Sequence, residues 1–111
     1  MARKIKSFAA ETESVELEPI TFELIKGEEF ECYGDVAGAV TLEFIAATSG
    51  DDASEIAKGI LAYLEASMDA ANWKRFNAII KSPEHRIPIQ TLSNIVSHLV
   101  EERSARNTDA S

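Results

Sequence analysis

Disulfide bonds cannot hold this chain together: its 111 residues include one cysteine, Cys32, and a lone thiol has no internal partner. That usage fits a reducing cytosol. No apolar run reaches the roughly 18 residues needed to span a bilayer. The start, Met1-Ala2-Arg3-Lys4-Ile5-Lys6, is basic, but the apolar block of a signal peptide does not follow it. The protein is therefore expected to stay in the compartment where it is made, away from membranes. The sequence has no glycine-rich phosphate loop, CxxC pair or HExxH helix. It also has no nucleophile elbow. The two histidines, His85 and His98, have no neighbouring ligand pattern and read as ordinary surface or boundary residues. Catalysis needs an acid, a base or a nucleophile in a dry pocket, and none is nominated here. The sequence predicts a protein that is not an enzyme and uses no cofactor and no metal.

Positive charge is also scarce. Nineteen acidic residues face eleven basic ones, for a net charge of −8. Such a balance repels a phosphate backbone and disfavours sequence-independent binding of nucleic acid. One stretch departs from it. Residues 72–86 hold Lys74, Arg75, Lys81 and Arg86 against Glu84 alone. This is either a solvated helix face and loop or a docking patch for an acidic partner, with Trp73 as a core residue or a binding anchor. The candidate protein-binding residues are thus Trp73, Lys74, Arg75, Lys81 and Arg86.

What the chain does have is apolar periodicity. Hydrophobic residues make up 45% of it, enough for one small core. The organising stretch is Asp69 to Glu102. Trp73, Phe76, Ile79 and Ile80 mark one helix, and Pro83 and Pro88 break the pattern. Ile89, Leu92, Ile95, Val96, Leu99 and Val100 then mark another, with Pro88 in its first turn. Upstream, Ile20, Phe22 and Leu24 alternate with Thr21 and Glu23, and Phe30 and Cys32 alternate after the turn Lys26-Gly27-Glu28. These runs predict a β-hairpin whose apolar side rests on helices. Cys32 reads as a small core residue. Asp35 is the expected N-cap of a helix bearing Val36, Val40, Phe44 and Ala47. Leu42 and Ile45 widen its apolar face, which predicts burial on more than one side. Gly38 either weakens that helix or permits close packing, and Gly50 reads as its C′ residue. Asp52 and Glu55 have capping-box spacing, a better use of the acidic pair Asp51-Asp52 than metal binding. A helix carrying Ile56, Ile60, Leu61, Leu64 and Met68 follows.

The expected fold is α+β, mostly α: an N-terminal β-hairpin packed on a bundle of about four short helices. Residues 1–17 read as a flexible N-terminal arm, 18–104 as a single compact domain and 105–111 as a flexible C-terminal tail.

In order and spacing, these features resemble the tail assembly chaperones of long-tailed bacteriophages, particularly those of actinobacterial hosts. The stretches that carry the likeness begin with Ile20-Thr21-Phe22-Glu23-Leu24 and Glu28-Glu29-Phe30-Glu31-Cys32. They continue through Gly38-Ala39-Val40-Thr41-Leu42-Glu43-Phe44 and Asp51-Asp52. The last are Trp73-Lys74-Arg75-Phe76-Asn77-Ala78-Ile79-Ile80 and Leu92-Ser93-Asn94-Ile95-Val96. The likeness covers about residues 20–103. It implies a non-enzymatic assembly factor in the host cytoplasm, absent from the mature virion. It implies that this factor binds and solubilises the tape measure protein and helps recruit the tail tube protein. The resemblance further implies a short form that works beside a frameshift-extended form of itself, with self-association allowed. It transfers no site residues. Two other readings remain: a minor structural tail or head-completion protein of the virion, and an acidic adaptor or inhibitor protein.

Overall fold

The computed structural model describes residues 6–7 and 17–109; most of the expected N-terminal arm lies outside them. Strands β1 (Ile20–Ile25) and β2 (Glu28–Cys32) pair antiparallel, with Ile20 opposite Cys32 and Phe22 opposite Phe30. The strand period of two sends Ile20, Phe22 and Leu24 inward and leaves Thr21 and Glu23 exposed. The turn is tighter than the sequence reading: Lys26 and Gly27 make it, and Glu28 already belongs to β2. Gly27 sits at φ +87°, a left-handed conformation that glycine adopts without steric cost. A register irregularity between Glu23 and Ile25 follows.

Four helices complete the described residues: α1 (Gly38–Thr48), α2 (Ala53–Ser67), α3 (Ala70–Ile80) and α4 (Ile89–Asp109). Asp52 caps α2 as expected, and Asp69, for which the sequence allows either a cap or a kink, caps α3. The Asp52 carboxylate accepts from the Ser54 and Glu55 N–H groups at 2.9 and 3.4 Å. Asp69 accepts from Asn72 N–H at 2.7 Å. Each satisfies donors that a helix N-terminus leaves unpaired.

Helix α1 departs from the sequence reading. Asp35 does not cap it; its Oδ1 accepts from the adjacent Val36 N–H at 2.8 Å. Val36 turns in to pack on the core, and the helix begins after Ala37, which has no side-chain capping bond. Gly50 follows α1 without a positive φ, so the left-handed C′ conformation is not used there. Helix α4 is longer than expected. Its backbone stays helical to Asp109, past residue 104 where a polar tail was anticipated.

The core is Ile20, Phe30, Cys32, Tyr63, Leu64, Met68, Phe76, Val96 and Leu99. Helix α2 is central, packing on α1, α3 and α4, while α3 also meets β2. An aromatic cluster joins hairpin to helix. Phe30 meets Phe76 edge-on with centroids 5.2 Å apart, and Phe22 stacks on Phe30 at 5.9 Å. Such pairs contribute roughly 0.5–1.5 kcal/mol each beyond area burial. The α1–α2 crossing is close because Gly59 has no side chain: a Cβ there would lie 2.7 Å from the Ala47 Cβ. A Cβ at Gly38 would meet nothing within 4 Å, so the close-packing glycine is Gly59.

Candidate interaction surface

The five residues nominated from sequence separate into two groups. Arg75 and Trp73 are tied into the fold. The Arg75 guanidinium pairs with the Glu28 carboxylate at 2.7 Å and donates to the Glu29 carbonyl at 2.7 Å. It also lies over the Phe30 ring, 3.9 Å from the centroid, a cation–π arrangement. Trp73 is half-buried and stacks on Phe76. Lys74, Lys81 and Arg86 are exposed. Lys74 and Lys81 stand two turns apart on one helix face. Arg86 lies in the following loop at φ +47°, and its Nε donates to the Pro83 carbonyl at 3.2 Å. Three exposed cations therefore remain of the patch.

A second set of polar residues was not foreseen. Arg103, on α4, is 4% exposed. Its Nη1 donates to the Tyr63 hydroxyl at 2.9 Å and to Ser67 Oγ at 3.0 Å; its Nη2 donates to the Tyr33 carbonyl at 2.8 Å. Ser67 Oγ in turn donates to the Tyr63 carbonyl at 2.7 Å. One turn on, Arg106 donates to the carbonyls of Glu18 and Gly34. These bonds hold the hairpin's exit against α2 and α4. Cys32 lies beside this group. Burial pushes its thiol up from about 9 to about 11, although the Arg103 cation pulls the other way. A buried thiol so raised is a poor nucleophile.

The remaining feature is helix α1. It is apolar around almost its whole circumference, yet none of its residues is fully buried. Val40 and Phe44 face inward, with Phe44 4.8 Å from the Tyr63 ring. Leu42 and Ile45 point the other way, 68% and 51% exposed. The expectation that they are buried is thus overturned. Helix α2 packs on the Phe44–Ala47 side, and among the described residues none lies over the opposite stripe of Ala39, Leu42, Ile45 and Ala46, all of them exposed.

Open grooves run along both sides of α1. One is lined by Val40, Glu43, Ala47, Glu55 and Lys58, the other by Phe44, Val96, Val100 and Glu101. Among the described residues, no group of His, Cys, Asp and Glu could hold a metal ion, and no helix is long and apolar enough to cross a membrane.

No protein-family model, curated protein or solved structure matches this chain.

The exposed stripe left a signal in the sequence that the reading spent on the core. Between Gly38 and Thr48 the only charged residue is Glu43. A helix apolar all round needs neighbours on every side. An 11-residue helix joined to its partner by the short link 49–52 has one neighbour at hand. The Arg103 cluster left a weaker trace, because a single arginine at the end of an apolar helix pattern is ordinarily a solvated end.

Proposed function

We propose that this chain acts by binding another protein and carries out no bond chemistry. Specifically, we propose that it is a short-form phage tail assembly chaperone. In this role it binds and solubilises the tape measure protein and helps recruit tail tube subunits. It works in the host cytoplasm and is left out of the mature virion.

The observation that carries the reading is the outward stripe of α1. Tyr33, Leu61 and Ile89 are exposed as well, but Leu42 and Ile45 share one helix face with Ala39 and Ala46, and a contiguous exposed apolar patch marks a surface that another macromolecule covers. A client presenting long amphipathic helices would be shielded by such a surface, helix laid against groove. The net charge of −8 would keep the complex soluble. The resemblance of residues 20–103 to the chaperone family supplies the client's identity.

Co-expression with the proposed client, a tape measure protein from the same genome, tests the reading. The expected result is a tape measure protein that moves from the pellet to the soluble fraction and copurifies with the chain. A client that stays insoluble, or that is equally soluble alone, overturns it. Mass spectrometry of purified particles separates the chaperone from a structural subunit, since abundant copies in the virion would exclude the former.

A further inference from the structure

Resting on that reading, we propose that the outward face of α1 is the docking surface and that its occupant is an amphipathic helix whose apolar stripe is flanked by lysine or arginine. The basic patch of α3 is not the client's seat.

Charge as well as exposure points to this occupant. Leu42 and Ile45 are three residues apart, and Ala39 and Ala46 complete one face of α1. The small residues leave shallow places beside the two large ones, so a helix could lie lengthwise against the stripe. Carboxylates border α1 along its sides and at its end. Glu43 and Glu55 line the groove against α2, Glu101 lines the groove against α4, and Asp51 and Asp52 stand just past the C-terminus. From residue 38 to 68 there are five acidic residues and one basic one. That one, Lys58, lies 3.8 Å from Glu55. The C-terminal end of α1 adds the negative end of its dipole and has no basic residue to offset it.

A partner seated here must bring apolar side chains for Leu42 and Ile45 and cations for the borders. An acidic or neutral helix would meet like charge or leave the carboxylates unpaired. The cations of α3, in contrast, border the half-buried Trp73 and an arginine already engaged by Glu28. Ile89, three residues after Arg86, is 80% exposed and not on the dry face that its spacing predicts, but it is a single apolar side chain and not a stripe. Across the domain, the α1–α2 half is acidic and greasy while α3 and its loop are basic, so a helix with basic flanks is attracted to the first half and repelled by the second.

The test uses the full chain and two kinds of partner. The first is the co-expressed tape measure protein, captured by wild type, by Leu42→Glu with Ile45→Glu, and by Lys74→Glu with Lys81→Glu. The second is a pair of synthetic helices of about 20 residues that share one leucine stripe and carry either lysine or glutamate on its flanks. Binding is followed by backbone amide chemical shifts.

The Leu42/Ile45 variant is expected to lose capture and to bind the lysine helix about tenfold or more weakly. The Lys74/Lys81 variant should capture normally. The glutamate helix should not bind wild type. Shifts on adding the lysine helix should map to α1 and the 96–101 stretch of α4. Reversing the borders with Glu43→Lys and Glu101→Lys should exchange the preference for the glutamate helix, a result that mere loss of fold cannot produce. Equal capture by wild type and the Leu42/Ile45 variant would overturn the docking face while leaving the chaperone reading intact. Binding of the lysine helix at α1 without any capture of the tape measure protein would leave the face standing and overturn the client.

Discussion

The Arg103 guanidinium, carried on the last helix, donates to the Tyr63 hydroxyl in the middle of the domain at 2.9 Å, in a setting from which water is almost excluded. Its partners there are neutral oxygens, and among the described residues it forms no ion pair. Its Nε finds no partner among them either. Such a cation holds its place by hydrogen bonds and by packing of its stem. Replacing it by Ala removes donors from the Tyr63 hydroxyl, Ser67 Oγ and the Tyr33 carbonyl. The expected cost is about 3 kcal/mol, near 1 kcal/mol for each bond. Arg103→Lys should recover part of it, since an ammonium cannot span three acceptors in the same fork. Urea unfolding followed by circular dichroism measures both, and a loss under 1 kcal/mol for Arg103→Ala would refute this role.

Gly59 and Ala47 meet at the close crossing of α1 and α2. Gly59→Ala should destabilise by about 1–3 kcal/mol, because overpacking outweighs the gain in helix propensity. Adding Ala47→Gly should return much of that loss. The double-mutant cycle then shows a coupling that distant residues would not. At Gly38, where an added Cβ meets nothing, the change to Ala should be neutral or stabilise by up to about 1 kcal/mol. Equal effects at the two glycines would contradict the close contact.

Arg75 and Lys74 are neighbours on α3 with different fates. Arg75→Ala gives up the pair with Glu28, the bond to the Glu29 carbonyl and the contact with Phe30. The site is partly exposed, so solvent discounts the ion pair and the expected loss is about 1–2 kcal/mol. Lys74→Ala should change stability by less than about 0.5 kcal/mol. Thermal melts of the two variants distinguish them directly.

Cys32 gives a pH dependence with a definite sign. Its folded value of about 11 lies above the ordinary 9, so between those values the folded state holds a proton that the unfolded state releases. The corresponding stability is fully present below pH 9 and is lost as pH rises toward 11. A Cys32→Ala variant should show a flatter decline over that window, measured as urea midpoints. Thiol reagents at pH 8 should modify Cys32 only at the rate of unfolding; prompt labelling of the native protein would rule out its burial.

The hairpin, the Asp52 cap and the stripe of α4 from Leu92 onward were legible because each follows from a local rule: alternation, capping chemistry or the 3.6-residue period. The start of α1 was not, since Asp35 is a sound cap by composition and only the inward turn of Val36 delays the helix. Leu42 and Ile45 were misassigned for a related reason. Periodicity tells which residues share a face, and it does not tell whether a neighbour covers that face. Arg103 escaped notice because its partners stand 36, 40 and 70 residues away in the chain, and no spacing in the sequence brings them together. In the candidate patch at residues 72–86, Arg75 is engaged by Glu28, a partner 47 residues away that no local spacing reveals.

The bonds from Arg103 and Arg106 back to Tyr33, Gly34 and Glu18 also bear on how the protein is made. A ribosome delivers the hairpin roughly 70 residues before the arginines that fasten its exit. A two-stranded hairpin alone is marginal in water, so through most of translation Tyr33 and Gly34, at its exit, wait without the arginines that fasten them. Folding of the nascent chain should therefore complete in one late step, when α4 clears the exit tunnel, and stalled chains ending before residue 103 should remain sensitive to protease.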